Sequence, residues 1–210
     1  MDIYAPRMDR LLQQLKSESL DALLITNPLN VTYLTGFTGE ASYLIVTPRK
    51  VLLISDGRFT QQLREECPNL ETVIRPPSET VTLAAGKVID KLSLSNIGFE
   101  SDHLTVDGLE GLSDQADAVE WKPGANRVEQ LRQIKDEAEI GQIRSAIRIA
   151  EKAFAMFRAM LRPDDTEKDL VDAMEMYVRR AGGKCTAFPT IVAVGERGAL
   201  PHAPPTDRPI

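Results

Sequence analysis

Residues 42–55, SYLIVTPRKVLLIS, constrain the fold more than any other stretch of this 210-residue chain. Two β-rich runs flank Thr47-Pro48-Arg49, and runs separated so briefly pair by folding back on each other. Any sheet that holds them therefore contains an antiparallel pair. Around this hairpin, helical and strand patterns alternate. Met8, Leu11, Leu12 and Leu15 repeat at three and four residues, which marks an amphipathic helix. Ala22 to Ile25 is an apolar run stopped by Asn27-Pro28 and reads as a buried strand. After the hairpin, Asp56 can cap a helix over residues 59–66. A strand at 72–76, a helix over 80–92, a strand at 96–101, a short helix near 105–112 and a strand at 119–123 follow. One hairpin within such alternation predicts an α/β fold, a mixed sheet with flanking helices, over residues 1–124.

The pattern changes at Lys122-Pro123-Gly124. From there Ile140, Ile143, Ile147, Ala150, Phe154, Phe157 and Leu161 step by three and four, the apolar stripe of a long helix. Asp136 and Glu139 form a capping-box pair at its start, and Arg162-Pro163 ends it. A second helix starts at Thr166, with Asp169 three residues on, and stops at Gly182-Gly183. FPTIVAVGE, residues 188–196, reads as a strand. Residues 125–210 are thus expected to hold two helices and a strand, the incomplete start of an α+β domain. Thr190 to Val194 is apolar on both faces, and an interior strand needs a neighbour on each side. The expectation is a piece of a longer protein; packing onto the first sheet or pairing with a symmetry mate is the alternative.

The net charge of −6, with both signs mixed, argues against a nucleic-acid or anionic-membrane surface. The first residues lack the apolar core of a secretory signal, and no apolar run reaches the roughly 20 residues of a membrane span. Cys67 and Cys185 are far apart, form no CxxC, and read as two reduced cytosolic thiols. No HExxH, nucleophile-elbow or phosphate-loop motif is present. Asp164-Asp165 and Glu137/Glu139 read as charges favoured at helix N-termini rather than paired acid–base groups. His103 follows a strand and reads as a surface or packing residue. His202 differs in context, because Pro201, Pro204 and Pro205 stiffen its backbone. Composition and spacing alone name no reaction.

Five separated stretches occur in one order: NPLNVTYLTGFTG, LLISDGRFTQQ, VEQLRQIKDEAEIGQIRSAIRIAEKAF, TEKDLVDAMEMYVRRAGG and FPTIVAVGERGALPHAPPTDRPI. Together they resemble the proline-specific metallopeptidases of the creatinase, prolidase and aminopeptidase P group, over nearly the whole chain. The resemblance implies a creatinase-like N-terminal domain over 1–124 and the start of a pita-bread catalytic domain over 125–210. Asn30, Tyr33, Gly36, Gly39 and Arg58 match its N-terminal elements and read as structural. Ile134 and Ile140 read as packing residues, and Lys135 and Glu139 as surface charges. His202 matches the histidine of the ALPH element, which implies a substrate-binding residue that donates a hydrogen bond rather than a metal ligand.

The same resemblance places the metal ligands beyond residue 210, so the chain is expected to bind no metal itself. Two divalent ions, Mn or Co, are implied for a full-length parent, which would cleave the bond before proline. Its implied substrate is a peptide with proline at the second position, and its implied setting is a cytoplasmic homodimer without nucleic-acid or membrane partners. A non-catalytic creatinase-like dimerisation module is the alternative. Creatine hydrolysis is a further chemistry within the group.

Overall fold

The structure, a computed structural model, describes residues 3–210. The chain divides into two compact units, the first ending at Ile134 and the second running from Lys135 to Ile210. In the first unit the helix α1 (Ala5–Ser17) leads to β1 (Ala22–Ile25) and α2 (Pro28–Thr35). The hairpin β2 (Tyr43–Val46) and β3 (Val51–Asp56) follows, then a 3₁₀ turn (Gly57–Phe59) and α3 (Thr60–Glu66). β4 (Glu71–Arg75), α4 (Val81–Leu92), β5 (Asn96–Glu100), α5 (Val106–Ser113), β6 (Glu120–Gly124) and α6 (Arg127–Gln133) complete it.

The six strands form one sheet in the order β4-β3-β2-β1-β5-β6. β2 pairs antiparallel with both β1 and β3, as the hairpin requires, while β3–β4, β1–β5 and β5–β6 are parallel. The sheet is therefore mixed. Alternation along each strand divides its side chains between two cores. Leu23, Ile25, Leu44, Val46 and Leu53 pack with Leu11 and Leu15 of α1, Val31 and Leu34 of α2, Leu63 of α3 and Val128 of α6. Ala22, Leu24, Ile45, Ile54, Ile97 and Phe99 pack on the other face with Ala85 and Ile89 of α4 and Leu112 of α5. Each fully buried Leu or Ile contributes about 1.5–3 kcal/mol relative to exposure.

Local chemistry sets where the helices begin and end. Asn27, Thr80 and Thr105 cap α2, α4 and α5 through their side chains. Asp56 does the same for the 3₁₀ turn, accepting from the Arg58 N–H. Gly36 closes α2 at φ 83°, in the left-handed region that a side chain disfavours. The first unit runs past the expected boundary at Gly124 because Val128 of α6 is fully buried in the α1/α2 core. Ile134, expected to pack, is 73% exposed.

The second unit contains α7 (Glu137–Ala159), α8 (Glu167–Arg180) and a 3₁₀ turn (Gly195–Ala199). Both capping boxes anticipated from spacing are formed, Asp136 with Glu139 and Thr166 with Asp169. Ala153, Tyr177 and Val178 bury a small core between the two helices. The strand expected over 188–196 is not formed among the described residues, where the only sheet-like pairing of this unit is the isolated Thr166–Pro209 bridge. A strand exists only as a ladder, and Thr190 to Val194 lie beside no other strand. The stripe along α7 is correspondingly only partly covered: Ile143, Ile147 and Phe154 are about half exposed, at 46%, 50% and 55%.

Candidate functional site

The most organised surface feature of the second unit is the loop that carries His202. From Val194 it enters the Gly195–Ala199 turn, passes Leu200-Pro201-His202-Ala203-Pro204-Pro205 and returns at Thr206 to the start of α8. His202 is exposed, while the adjacent Ala203 is buried at 3% exposure. Among the described residues the His202 ring has no hydrogen-bond partner, so both of its nitrogens are free to meet a ligand. Arg208 closes the far end of the loop through an ion pair with Glu196, and Arg197 donates to the Pro204 carbonyl at 2.5 Å.

Under the loop lies Glu167, the first residue of α8 and fully buried. Its carboxylate accepts from the Val194 N–H at 2.9 Å, the Thr206 N–H at 2.9 Å, the Thr206 hydroxyl at 2.7 Å and Arg197 Nε at 3.0 Å. Burial alone would push the Glu167 carboxyl up. The bonds from Thr206, Val194 and Arg197 outweigh it and hold the pKa at about 2. Sequence reasoning missed this residue, because an acid in the first turn of a helix already has a sufficient explanation in the helix dipole.

A second polar cluster lies inside the first unit, where β1 and β5 end. Glu100, 3% exposed, accepts from the backbone N–H groups of Thr26 and Asn27, each at 2.7 Å, and from Asn30 Nδ2 at 2.5 Å. Asn30, fully buried, also donates to Glu129 at 2.5 Å and accepts from Arg132 at 2.8 Å. Burial raises the Glu100 pKa; Asn30, Asn27 and Thr26 pull against it, and the Glu129 charge adds to the rise. His103 is exposed, with its Nδ1 3.1 Å from the Thr26 hydroxyl. Tyr33 donates to the Leu131 carbonyl at 3.3 Å and lies under the Arg7 guanidinium at 4.3 Å. Arg58 pairs with Asp56. These contacts tie α2, β5 and α6 together, and Asn30 and Tyr33 are framework residues within them.

Among the described residues, no group of three or more His, Cys, Asp or Glu side chains could hold a metal ion. The described residues therefore do not fit a pair of bridged divalent ions. A groove of about 910 Å³ runs along α7 and α8, lined by Ile143, Ala146, Ile147, Met174, Phe188 and Ile191, and it gathers no acid–base pair. No helix is long and apolar enough to cross a membrane among the described residues.

Comparison with known proteins accounts for both units. Residues 7–134 match the Creatinase/Prolidase N-terminal domain, and residues 141–210 match Metallopeptidase family M24. A Bacillus subtilis protein described as the uncharacterized peptidase YqhT is 32% identical over 90% of this chain and 53% of its own length. The chain thus spans about half the length of that relative. Among solved structures, an Xaa-Pro dipeptidase from Bacillus anthracis superposes with a TM-score of 0.89 at 28% identity, over 99% of this chain and 57% of that one. An X-Pro aminopeptidase from Thermotoga maritima gives a TM-score of 0.85 at 30% identity, over 97% of this chain and 57% of that one. With the N-terminal model covering more than half of its residues and the peptidase model continuing behind it, the chain belongs to the creatinase/prolidase family of M24 metallopeptidases.

Proposed function

We propose that these residues are part of a metal-dependent peptidase that cleaves the bond before proline in peptides with proline at the second position. His202 is its substrate-binding residue. The observation that carries this reading is the braced, proline-stiffened loop that leaves the His202 ring exposed and uncommitted. Further support comes from solved neighbours described as an Xaa-Pro dipeptidase and an X-Pro aminopeptidase. Neutral imidazole donates from one nitrogen, which suits a substrate carbonyl or the oxyanion that forms from it. Proline's tertiary amide has no N–H and a fixed ring, so its recognition depends on shape and on hydrogen bonds to the neighbouring carbonyl.

The 210 residues alone are proposed to be inactive. Purified, they are expected to retain neither Mn²⁺ nor Co²⁺ in stoichiometric amount and to leave an Xaa-Pro dipeptide intact. Metal-dependent turnover that follows the pure polypeptide through chromatography would overturn this. A full-length protein carrying these residues is expected to cleave either an Xaa-Pro dipeptide or a longer peptide with proline at the second position when given Mn²⁺ or Co²⁺, and an intact protein that cleaves neither would sink the peptidase reading. A cytoplasmic setting and a homodimer formed through the first unit complete the proposal. Sedimentation across micromolar concentrations checks the dimer, and a clean monomer counts against it.

A further inference from the structure

We propose that Glu167 is a positioning residue, whose carboxylate fastens both ends of loop 194–206 to the start of α8 and so sets how His202 is presented. The proposal rests on the reading of His202 as the substrate-facing residue. Its geometry is specific in one respect: the two carboxylate oxygens serve opposite ends of the loop. Oε1 takes the Val194 N–H at 2.9 Å, and Oε2 takes the Thr206 N–H at 2.9 Å and the Thr206 hydroxyl at 2.7 Å. Arg197 bridges the pair, with Nε at 3.0 Å from one oxygen and 3.2 Å from the other. The helix answers in kind, because its first amides donate to the returning strand of the loop. Glu167 N–H reaches the Arg208 carbonyl at 3.0 Å, and Lys168 N–H reaches the Thr206 carbonyl at 3.2 Å.

A helix-dipole role would ask only for a negative charge near the first turn, and Asp169 already supplies one there. It would not require full burial or donors from residues 27 and 39 positions away. Between the two fastened ends, Pro201, Pro204 and Pro205 limit the backbone of the loop, and buried Ala203 anchors its middle. What remains free is the His202 side chain. The carboxylate is therefore the group whose two oxygens bond directly to both Val194 and Thr206.

Glutamine separates this role from packing, because it conserves volume but offers one acceptor oxygen instead of two. Whichever way its amide turns, an –NH₂ group faces either the Val194 or the Thr206 N–H. The chain contains two histidines, so the imidazole Cε1–H region of its proton NMR spectrum holds two signals, and His103 serves as an internal reference. In E167Q, the Val194 or Thr206 amide is expected to exchange at least tenfold faster than in the parent chain. The His202 signal moves toward the position it has in a short free peptide, and the His103 signal stays in place. A folded E167Q protein with unchanged exchange at both amides and an unmoved His202 signal overturns the proposal. Should E167Q not fold, T206A tests the same clamp by removing one hydroxyl. It is expected to shift the His202 signal in the same direction by less, and an unmoved signal again overturns the proposal. None of these readouts requires turnover. Unchanged kcat/KM for H202A in a full-length protein would remove the substrate role of His202 without touching the clamp.

Discussion

Replacing Glu100 by alanine tests whether its buried carboxylate organises the first unit. The deletion removes the acceptor of the Thr26 N–H, which lies in a residue only 3% exposed, and of one Asn30 amide hydrogen in a fully buried residue. The Asn27 N–H also loses its partner, but Asn27 is only half-buried, and water can replace the bond. Each buried donor left unpaired costs about 1–3 kcal/mol, and losing a desolvated charge offsets part of that. E100A is therefore expected to destabilise by about 2–3 kcal/mol, a large share of the about 5–15 kcal/mol of a typical domain. E100Q keeps an acceptor for the two backbone amides but turns an –NH₂ toward Asn30 Nδ2. Asn30 can rotate only by giving up Arg132 and Glu129, so E100Q should cost about 1 kcal/mol. Urea unfolding followed by tryptophan fluorescence reads this unit alone, because the single tryptophan, Trp121, packs edge-on against Phe99 beside the site. E100A should lower the midpoint by about 1–2 M.

The pH dependence has a definite sign. Burial raises the folded pKa of Glu100 above its ordinary 4.5, so its contribution is complete below that value and is lost as pH rises through the folded pKa. The margin of the parent chain over E100Q should therefore shrink as pH increases above 4.5. If E100A falls within about 0.5 kcal/mol of the parent, or E100Q is as damaging as E100A, the carboxylate does not organise this junction.

Asp56, 5% exposed, is held at about 2 by its side-chain bond to Arg58 against the opposing effect of burial, with Arg75 adding attraction. A lowered carboxyl pKa stabilises above the unfolded value of 3.8 and is lost as pH falls through about 2, so acid unfolding followed by Trp121 fluorescence should lose this component in D56N. An identical acid profile would refute it. Gly36 has φ 83°, and a Cβ there would lie 2.5 Å from the Tyr4 hydroxyl, so G36A should destabilise by at least about 1 kcal/mol in urea titration. A neutral substitution would be the contrary result. Cys185 is exposed, whereas burial, with Glu66 nearby, pushes the Cys67 thiol up. Native labelling with a thiol reagent should therefore show one fast site and one slow site per chain, and two fast sites would contradict the burial of Cys67.

What was legible in the sequence is what depends on residues a few positions apart. The hairpin over 42–55 and the capping boxes at Asp136 and Thr166 are of this kind, since the capping partners lie three positions apart and the hairpin strands are joined by a four-residue turn, so their geometry follows from spacing. The expected boundary at Gly124 and the end of the first compact unit at Ile134 differ because a change of pattern marks where helices begin, not which core they join. Val128 belongs to the α1/α2 core, and nothing in its own heptad says so. The strand expected over Thr190 to Val194 failed for a related reason: β pattern is a necessary condition for a strand, and the partner is a separate fact.

The acidic residues carry the same distinction into the candidate site. Glu100 and Glu167 were invisible as single letters because their meaning lies in donors 73 and 74, or 27 and 39, positions away. Both are buried carboxyl groups that accept from two backbone amides each, and backbone amides leave no mark in composition or motif. His202 could be singled out because prolines stand beside it in the chain. The group that holds its loop could not, because folding, rather than sequence, makes Glu167 its neighbour. An exchange of Glu167 for another good helix-starting acid such as Asp looks conservative in any reading of α8 alone. Yet Asp is one methylene shorter and cannot reach both loop ends at once. E167D is therefore expected to retain the helix, seen as unchanged far-ultraviolet circular dichroism, and to loosen the loop, seen as faster exchange at Val194 or Thr206. Full protection of both amides in E167D would show that reach does not matter, and that the loop is held by its prolines alone.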